Sequence, residues 1–204
     1  MRRFALVLML SFAVSGCATA WTPLEEGQQA PDASYKIEFP KGWLKFDSTM
    51  AKRMIDPLDK GVTITREGTM LQNIKVGFME LEQAFPNTKK TLNEKMLPQE
   101  AAEVVADNFR MAEGVLEFNV LENVPADVGG HPGFKILLEY KIDSRLWLRR
   151  MFYGTILNNR FYFLQYHAPR RHYFERDLET FQKVVDSFQP VVEFPKPQTA
   201  EKPG

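Results

Sequence analysis

Apolar residues recur along this chain at two different spacings, and each spacing predicts one kind of element. Alternation of apolar and polar residues, or a short β-branched run, predicts strands. The strands predicted in this way lie at 35–39, 61–65, 74–81, 116–120, 134–140, 146–156 and 160–166. Helical spacing predicts one helix from Pro98 to a stop at Gly114, a second over 173–188, and a weaker helical turn at 48–55. Many strands and few helices predict the α+β class, with an antiparallel sheet packed against helices.

The amino-terminal segment has the pattern of a secretory signal. Arg2 and Arg3 precede a short apolar run at 4–13, which is too short to span a membrane. The junction Val14-Ser15-Gly16-Cys17 resembles the lipobox of bacterial lipoproteins. That resemblance implies cleavage before Cys17 and a diacylglyceryl thioether on its sulfur, with further acyl chains such as palmitate. An ordinary signal peptide cut near Ala18-Thr19-Ala20 is the alternative.

These signals divide the chain into four parts. Residues 1–16 are the predicted lipoprotein signal peptide, and 17–34 are the lipidated cysteine and a flexible tether. A coil of about 17 residues would hold the domain roughly 20–25 Å from its anchor, although Trp21 would also suit the lipid interface. Residues 35–190 form the predicted single domain, and the Pro-rich segment 191–204 is expected to be a disordered tail.

Composition and charge exclude several functional classes. The chain has 26 basic and 26 acidic side chains, so it lacks the basic excess that nucleic-acid binding requires. Hydrophobic residues make up 44%, which is not the composition of a disordered chain. Because Cys17 is the only cysteine, the domain is expected to depend on its core without a disulfide.

Four short motifs, taken in their order, resemble a known fold. They are Phe39-Pro40-Lys41-Gly42-Trp43, Gly130-His131-Pro132-Gly133-Phe134, the strand at 161–166, and Phe181 followed by Val184-Val185-Asp186-Ser187-Phe188. Together they look like the Mog1/PsbP-like fold over about residues 35–190. The resemblance implies a single α+β domain, with an antiparallel β-sheet packed between α-helices. It also implies a non-catalytic assembly, binding or accessory protein, although a fold alone does not transmit a function.

Candidate catalytic and metal-binding residues are few. His131, His167 and His172 are the only histidines, and the last two are five residues apart, whereas metal pairs on a helix are three or four apart. There is no Gly-x-Ser-x-Gly motif, and the glycine-rich turn at 129–133 has no P-loop lysine after it. No catalytic residue, metal or cofactor is therefore predicted. A periplasmic hydrolase or transferase with a histidine-containing pocket is the alternative, as is a lipoprotein that binds a small apolar ligand between sheet and helix.

The most suggestive polar feature is a set of arginines near the last strands. Guanidinium groups bind carboxylate and phosphate in a bidentate manner, which predicts anion binding. The alternative is solvated charge that neighbouring Asp and Glu side chains offset. The candidate residues are Arg149, Arg150, Arg160, Arg170 and Arg171.

These patterns together predict a membrane-anchored bacterial lipoprotein whose domain is a non-catalytic interaction or accessory module at the cell envelope. The expected partners are membrane lipid through acylated Cys17 and an envelope protein or anionic ligand, but not nucleic acid. Ala18, not aspartate, follows the cysteine, and the lipoprotein sorting rule then implies the outer membrane, facing the periplasm in a Gram-negative cell.

Overall fold

The structure is a computed structural model that describes residues 21–24, 34–46, 58, 61–142 and 146–191. The predicted signal peptide, Cys17, the helical turn at 48–55 and the tail from 192 onward lie outside the described residues.

Eight of the ten described strands form one antiparallel sheet. Its strand order is β1-β3-β4-β5-β9-β8-β7-β6, while β2 and β10 pair separately. The strands are β1 (Trp21–Pro23), β2 (Tyr35–Lys36), β3 (Leu44–Phe46), β4 (Val62–Thr65), β5 (Asn73–Glu80), β6 (Val115–Val128), β7 (His131–Ile142), β8 (Trp147–Leu157), β9 (Arg160–Pro169) and β10 (Gln189–Pro190). The helices are α1 (Pro98–Arg110) and α2 (Tyr173–Asp186).

The sheet lies between the two helices, as β9 shows most clearly. Side chains alternate along a strand, so Tyr162 and Leu164 point to one face and Phe161 and Phe163 to the other. The first pair joins a core cluster with α2, and the second joins a separate cluster with α1. Each helix therefore buries its apolar stripe on its own face of the sheet, which confirms the predicted α+β arrangement in one domain.

Local features mark the start of both helices and the end of α1. α1 starts with Pro98 at its first position, and the Glu100 carboxylate accepts the Leu97 backbone N–H at 2.9 Å. Gly114, with φ of 77°, follows its end, as the sequence predicts. α2 starts after His172, whose φ of 67° turns the chain into the helix.

An aromatic stack fills the α1 side of the core. Phe152 is completely buried, and its ring centroid lies 6.1 Å from those of Phe134 and Phe161. Gly154 is required beside this stack, because a Cβ there would lie 2.6 Å from ring atoms of both Phe134 and Phe161. The stack joins β7, β8 and β9, which are the strands that carry most of the predicted site.

The main correction to the predicted boundaries lies at the start of the domain. Trp21–Pro23, placed in the flexible tether by the sequence, instead forms the edge strand β1 beside β3. The ring centroids of Trp21 and Phe46, which are directly opposite one another, lie 4.9 Å apart. Such a cross-strand aromatic pair stabilises a short edge strand, so the ordered sheet begins at Trp21 and not at residue 35.

Two smaller differences concern strand lengths. Only Tyr35–Lys36 of the predicted strand 35–39 is paired, and its partner is β10 close to the end of the domain. β6 and β7 are longer than predicted and meet at a hairpin turn whose residues, Gly129 and Gly130, both have positive φ. These angles explain why the sequence has glycine at this turn, since glycine adopts positive φ without strain.

Candidate functional site

Four of the five predicted arginines lie at one end of the sheet. Arg149 and Arg150 are neighbours on β8 and lie opposite Ala168 and His167 of β9, respectively. Arg170 and Arg171 directly follow β9. We call this region the arginine end.

Arg160 is not part of this group. It opens β9 opposite Leu157, eight residues from Ala168 and therefore roughly 26 Å from the arginine end. Its guanidinium donates to Glu80 at 3.0 Å and lies 4.3 Å from the centroid of the Phe78 ring. The structure thus gives Arg160 a carboxylate partner of its own on a different part of the surface.

Arg149 and Arg170 lie on the α2 face and share a carboxylate. Arg149 donates to Glu139 and to Glu175, both at 2.9 Å, and Arg170 donates to the second oxygen of Glu139 at 3.2 Å. Glu139 is only 8% exposed, so the ion pairs compensate for its removal from water. Arg171 is exposed and makes no ion pair within the described part of the chain. The predicted anion binding at these three residues remains a prediction.

Arg150 points to the opposite face, because successive side chains on a strand alternate. Its guanidinium donates to the Gln165 side-chain oxygen at 3.0 Å and to the Tyr140 hydroxyl at 3.2 Å. It also lies 4.0 Å from the centroid of the Phe109 ring at the end of α1. All of these partners are neutral.

The charge of Arg150 therefore has no carboxylate partner among the described residues. Two of the five guanidinium N–H groups have acceptors, and the Nε atom is buried without one. A partly buried charge that keeps unused donors is costly unless an anion or water completes its hydrogen bonds. Among the five predicted arginines, Arg150 has a guanidinium that neighbouring side chains hold in place and that still has N–H groups without acceptors in the described part of the chain.

His167 completes this side of the site. Burial, followed by the charges of Arg150 and Lys75, lowers the pKa of His167 from 6.5 to about 3. The ring is therefore neutral at physiological pH. The Asn73 amide nitrogen donates to the Thr69 carbonyl at 2.9 Å and also faces His167 Nδ1 at 3.4 Å. Nδ1 is then the acceptor, and the ring proton is on Nε2.

This protonation state determines what Tyr140 can do. Its hydroxyl oxygen lies 2.9 Å from His167 Nε2 and accepts that proton as well as the hydrogen bond from Arg150. The hydroxyl hydrogen of Tyr140 is thus available to a further acceptor. Arg150 and Tyr140 together present hydrogen-bond donors and a positive charge, an arrangement suited to a carboxylate or phosphate oxygen. We call Arg150, Tyr140, Gln165 and His167 the Arg150 site.

The lowered pKa of His167 makes a testable prediction about acid stability. The unfolded chain takes up a proton at this histidine near pH 6.5, but the folded chain does so only near pH 3. The free energy of unfolding should therefore fall as the pH falls through this window, by up to about 1.4 kcal/mol per pH unit. We expect a His167→Gln variant to lose less stability than the wild type between pH 6.5 and 4 in urea titrations.

The exposed histidine, His172, provides the control for this prediction. A His172→Gln variant makes the same substitution at an exposed histidine and is titrated alongside as the matched control. Equal slopes for the wild type and His167→Gln over this window would contradict a neutral, desolvated His167.

The three histidines do not form one site. His131 opens β7 at the other end of the sheet, roughly 23 Å along the strands from His167. His172 precedes α2, which packs on the face opposite to the Arg150 site. Within the described ranges, no group of three or more His, Cys, Asp or Glu side chains could hold a metal ion. The three histidines considered for the alternative pocket therefore lie on three separate surfaces.

A small pocket also lies between the sheet and α1, and the alternative prediction places an apolar ligand between sheet and helix. It has a volume of about 200 Å³ and is bordered by Met96 and Pro98 at the start of α1 and by Phe134 and Gly154 of the sheet. Ligand binding there remains a prediction.

Sequence reasoning missed the neutral partners of Arg150. Tyr140 belongs to no motif, and Gln165 belongs only to the strand motif at 161–166 that indicates the fold. Both reach Arg150 only because β7 and β9 flank β8 in this register. The sequence does carry one signal, because adjacent residues of a strand point to opposite faces. Strand alternation by itself therefore separates Arg149 from Arg150.

The chain matches no protein-family model and no curated protein. Among solved structures, it is similar to the cyanobacterial PsbP protein CyanoP of Synechocystis, with a TM-score of 0.58 and 13% identity over 89% of this chain and 99% of that one. It is also similar to the Ran-binding protein Mog1p of Saccharomyces cerevisiae, with a TM-score of 0.55 and 11% identity over 84% and 97% of the two chains. Within the described residues, no helix has the length and apolar character needed to cross a membrane. The two likenesses confirm the predicted arrangement, and the chain has the Mog1/PsbP-like fold.

Proposed function

We propose that this chain is a bacterial lipoprotein, held on the membrane through acylated Cys17, whose domain is a non-catalytic binding module of the cell envelope. Its ligand is the carboxylate or phosphate group of a partner, bound at the Arg150 site. The observation that carries the proposal is the charge of Arg150, which has only neutral partners among the described residues. Support for the anchor comes from the lipobox residues at 14–17.

An oxyanion would supply what the site lacks. Each hydrogen bond to a charged group contributes about 1.5–3 kcal/mol, more than one between neutral groups. A bidentate carboxylate or phosphate would accept from guanidinium N–H groups, and it could also accept from the Tyr140 hydroxyl. Gln165 and the Phe109 ring hold the guanidinium in place beforehand, so little side-chain entropy is lost on binding.

A protein is the favoured carrier of this oxyanion. The yeast structure with the same fold is described as a Ran-binding protein, so this fold can serve as a protein-binding module. Outer-membrane sorting, which Ala18 implies, would place the partner in the periplasm or on the outer membrane.

Thermal unfolding in defined anions tests the Arg150 site. The domain is heated in phosphate, in acetate and in chloride at equal ionic strength. An anion concentration ten times the Kd of the site stabilises the folded state by about 1.4 kcal/mol, which raises Tm by about 3–5 °C. We expect this rise over chloride in phosphate, in acetate or in both, and the more effective anion indicates whether a phosphate or a carboxylate is the natural group.

Two variants make the test specific. Arg150→Met removes the charge but keeps an unbranched side chain over Phe109, and it should abolish the anion-dependent rise in Tm. Arg171→Met removes an exposed arginine from the same end of the sheet and should keep the rise. The proposal is contradicted if the wild type gains nothing over chloride from either anion, or if both variants gain as much as the wild type.

A further inference from the structure

The edge strand β1 lies very close to the predicted lipid anchor. β1 begins at Trp21, so only three residues separate it from Cys17. A fully extended chain advances at most about 3.6 Å per residue, which limits the distance between the Cα atoms of Cys17 and Trp21 to about 14 Å. A domain anchored at Cys17 therefore cannot stand far from the bilayer, because the sheet itself begins next to the acyl chains.

One face of this edge is apolar. Trp21 and Pro23 of β1 pair with Phe46 and Leu44 of β3, so the four side chains share a face. Pro23 is exposed and Leu44 is 38% exposed, while Trp21 and Phe46 are partly exposed. Trp21 and Phe46 also contact each other, which keeps both rings in position.

The other face of the same edge carries a cation. Lys45 lies between Leu44 and Phe46 and points to the opposite face of the sheet. It has no carboxylate partner among the described residues. A sheet edge with an apolar, aromatic face and a lysine on its other face has the composition of an edge that lies at a lipid interface, where rings sit at headgroup level and the ammonium group meets phosphates.

We propose that the β1–β3 edge is the membrane-facing surface of the domain, with Trp21 and Phe46 in the lipid interface and Lys45 on headgroup phosphates. The occupant of this surface is the bilayer that holds the acyl chains of Cys17, so the inference rests on the proposed anchor. The short distance from Cys17 to β1 distinguishes the bilayer from a partner protein, since the edge is brought to the membrane whenever the anchor is inserted.

This orientation separates anchor and ligand site. β8 is the sixth strand in the order that begins with β1, and strands lie about 4.8 Å apart, so the strand that carries Arg150 is roughly 24 Å from β1 across the sheet. The membrane would hold one edge of the sheet, and the Arg150 site would lie away from the bilayer, on the periplasmic side.

Tryptophan fluorescence in vesicles tests the proposal. The acylated full-length protein is reconstituted into phosphatidylcholine and phosphatidylglycerol vesicles, with or without bromine on the acyl chains, because bromine quenches tryptophan at close range. Two of the three tryptophans serve as references, since Trp43 is 3% exposed and Trp147 lies at the arginine end. We expect bromolipid to quench the wild type and Trp147→Phe, and we expect Trp21→Phe to lose most of that quenching.

Two results would overturn the lipid-facing edge. One is a wild type that floats with the vesicles but whose tryptophan emission bromolipid does not quench. This includes the case in which a second copy covers the edge, which would make Trp21 emission depend on protein concentration. The other is a Trp21→Phe variant that is quenched as strongly as the wild type. The anchor is checked separately by flotation of Cys17→Ser protein. If this protein floats as well as the wild type, acylation at Cys17 is contradicted. Quenching of Trp21 still reports independently whether the β1–β3 edge faces lipid.

Discussion

Replacing Phe152 by alanine is expected to lower the free energy of unfolding by about 3–5 kcal/mol, the largest stability effect that we predict for a single substitution. Phe152 is completely buried, and its ring lies among those of Phe109, Phe134, Phe161 and Phe163. Alanine would leave a cavity that these rings cannot fill, since they come from α1 and from strands fixed by their own hydrogen bonds. Urea denaturation monitored by circular dichroism measures the change.

An exposed apolar residue provides the control for this substitution. Leu97 is 63% exposed at the start of α1, and Leu97→Ala should change the free energy of unfolding by no more than about 0.5 kcal/mol. A Phe152→Ala protein that loses less than about 1 kcal/mol would contradict the aromatic stack as the centre of the α1-side core.

Replacing Cys17 by serine is expected to abolish acylation and the membrane attachment that depends on it. In the proposed lipoprotein the thioether would form on the Cys17 sulfur, and the chain has no other cysteine to take its place. Each methylene that enters the bilayer contributes about 0.8 kcal/mol, and two or more chains make the attachment effectively permanent. Cells fed labelled palmitate should label the wild type and not Cys17→Ser, and only the labelled protein should enter the detergent phase by virtue of its lipid.

A neighbouring substitution controls for effects on export. Thr19→Ser changes a small residue just after the junction and should keep the palmitate label. Label that persists in Cys17→Ser would contradict acylation at Cys17. A wild type of mature size that never takes up label would show that the ordinary signal peptide is the correct interpretation.

Much of the fold follows from the spacing of apolar residues. The period of α2 and the aromatic alternation of β9 are long enough to identify each element and the face it buries. β1 could not be found in this way, because three residues that include Pro23 show no period. It is ordered by pairing with β3, a contact that depends on where the chain returns and not on local sequence.

The site was harder to predict than the fold. The sequence places Arg149 and Arg150 together, and strand geometry alone assigns them to opposite faces. Whether each charge is neutralised depends on register and helix docking. These bring Glu139 and Glu175 to Arg149, whereas the groups they bring to Arg150 from the described part of the chain are neutral. Those partners come from other strands and from α2, so no local pattern predicts which of the two charges is neutralised.

The most direct test of the central claim is the ¹⁵N-edited NMR signal of the Arg150 Nε–H during a phosphate titration. The signal is assigned by its absence from the spectrum of Arg150→Met. The Nε–H of Arg149, which already donates to Glu139, is the internal reference. We predict that the Arg150 signal shifts and saturates as phosphate is added, while the Arg149 signal stays in place. An Arg150 signal that does not move, or one that moves together with that of Arg149 without saturating, would contradict an oxyanion site at Arg150.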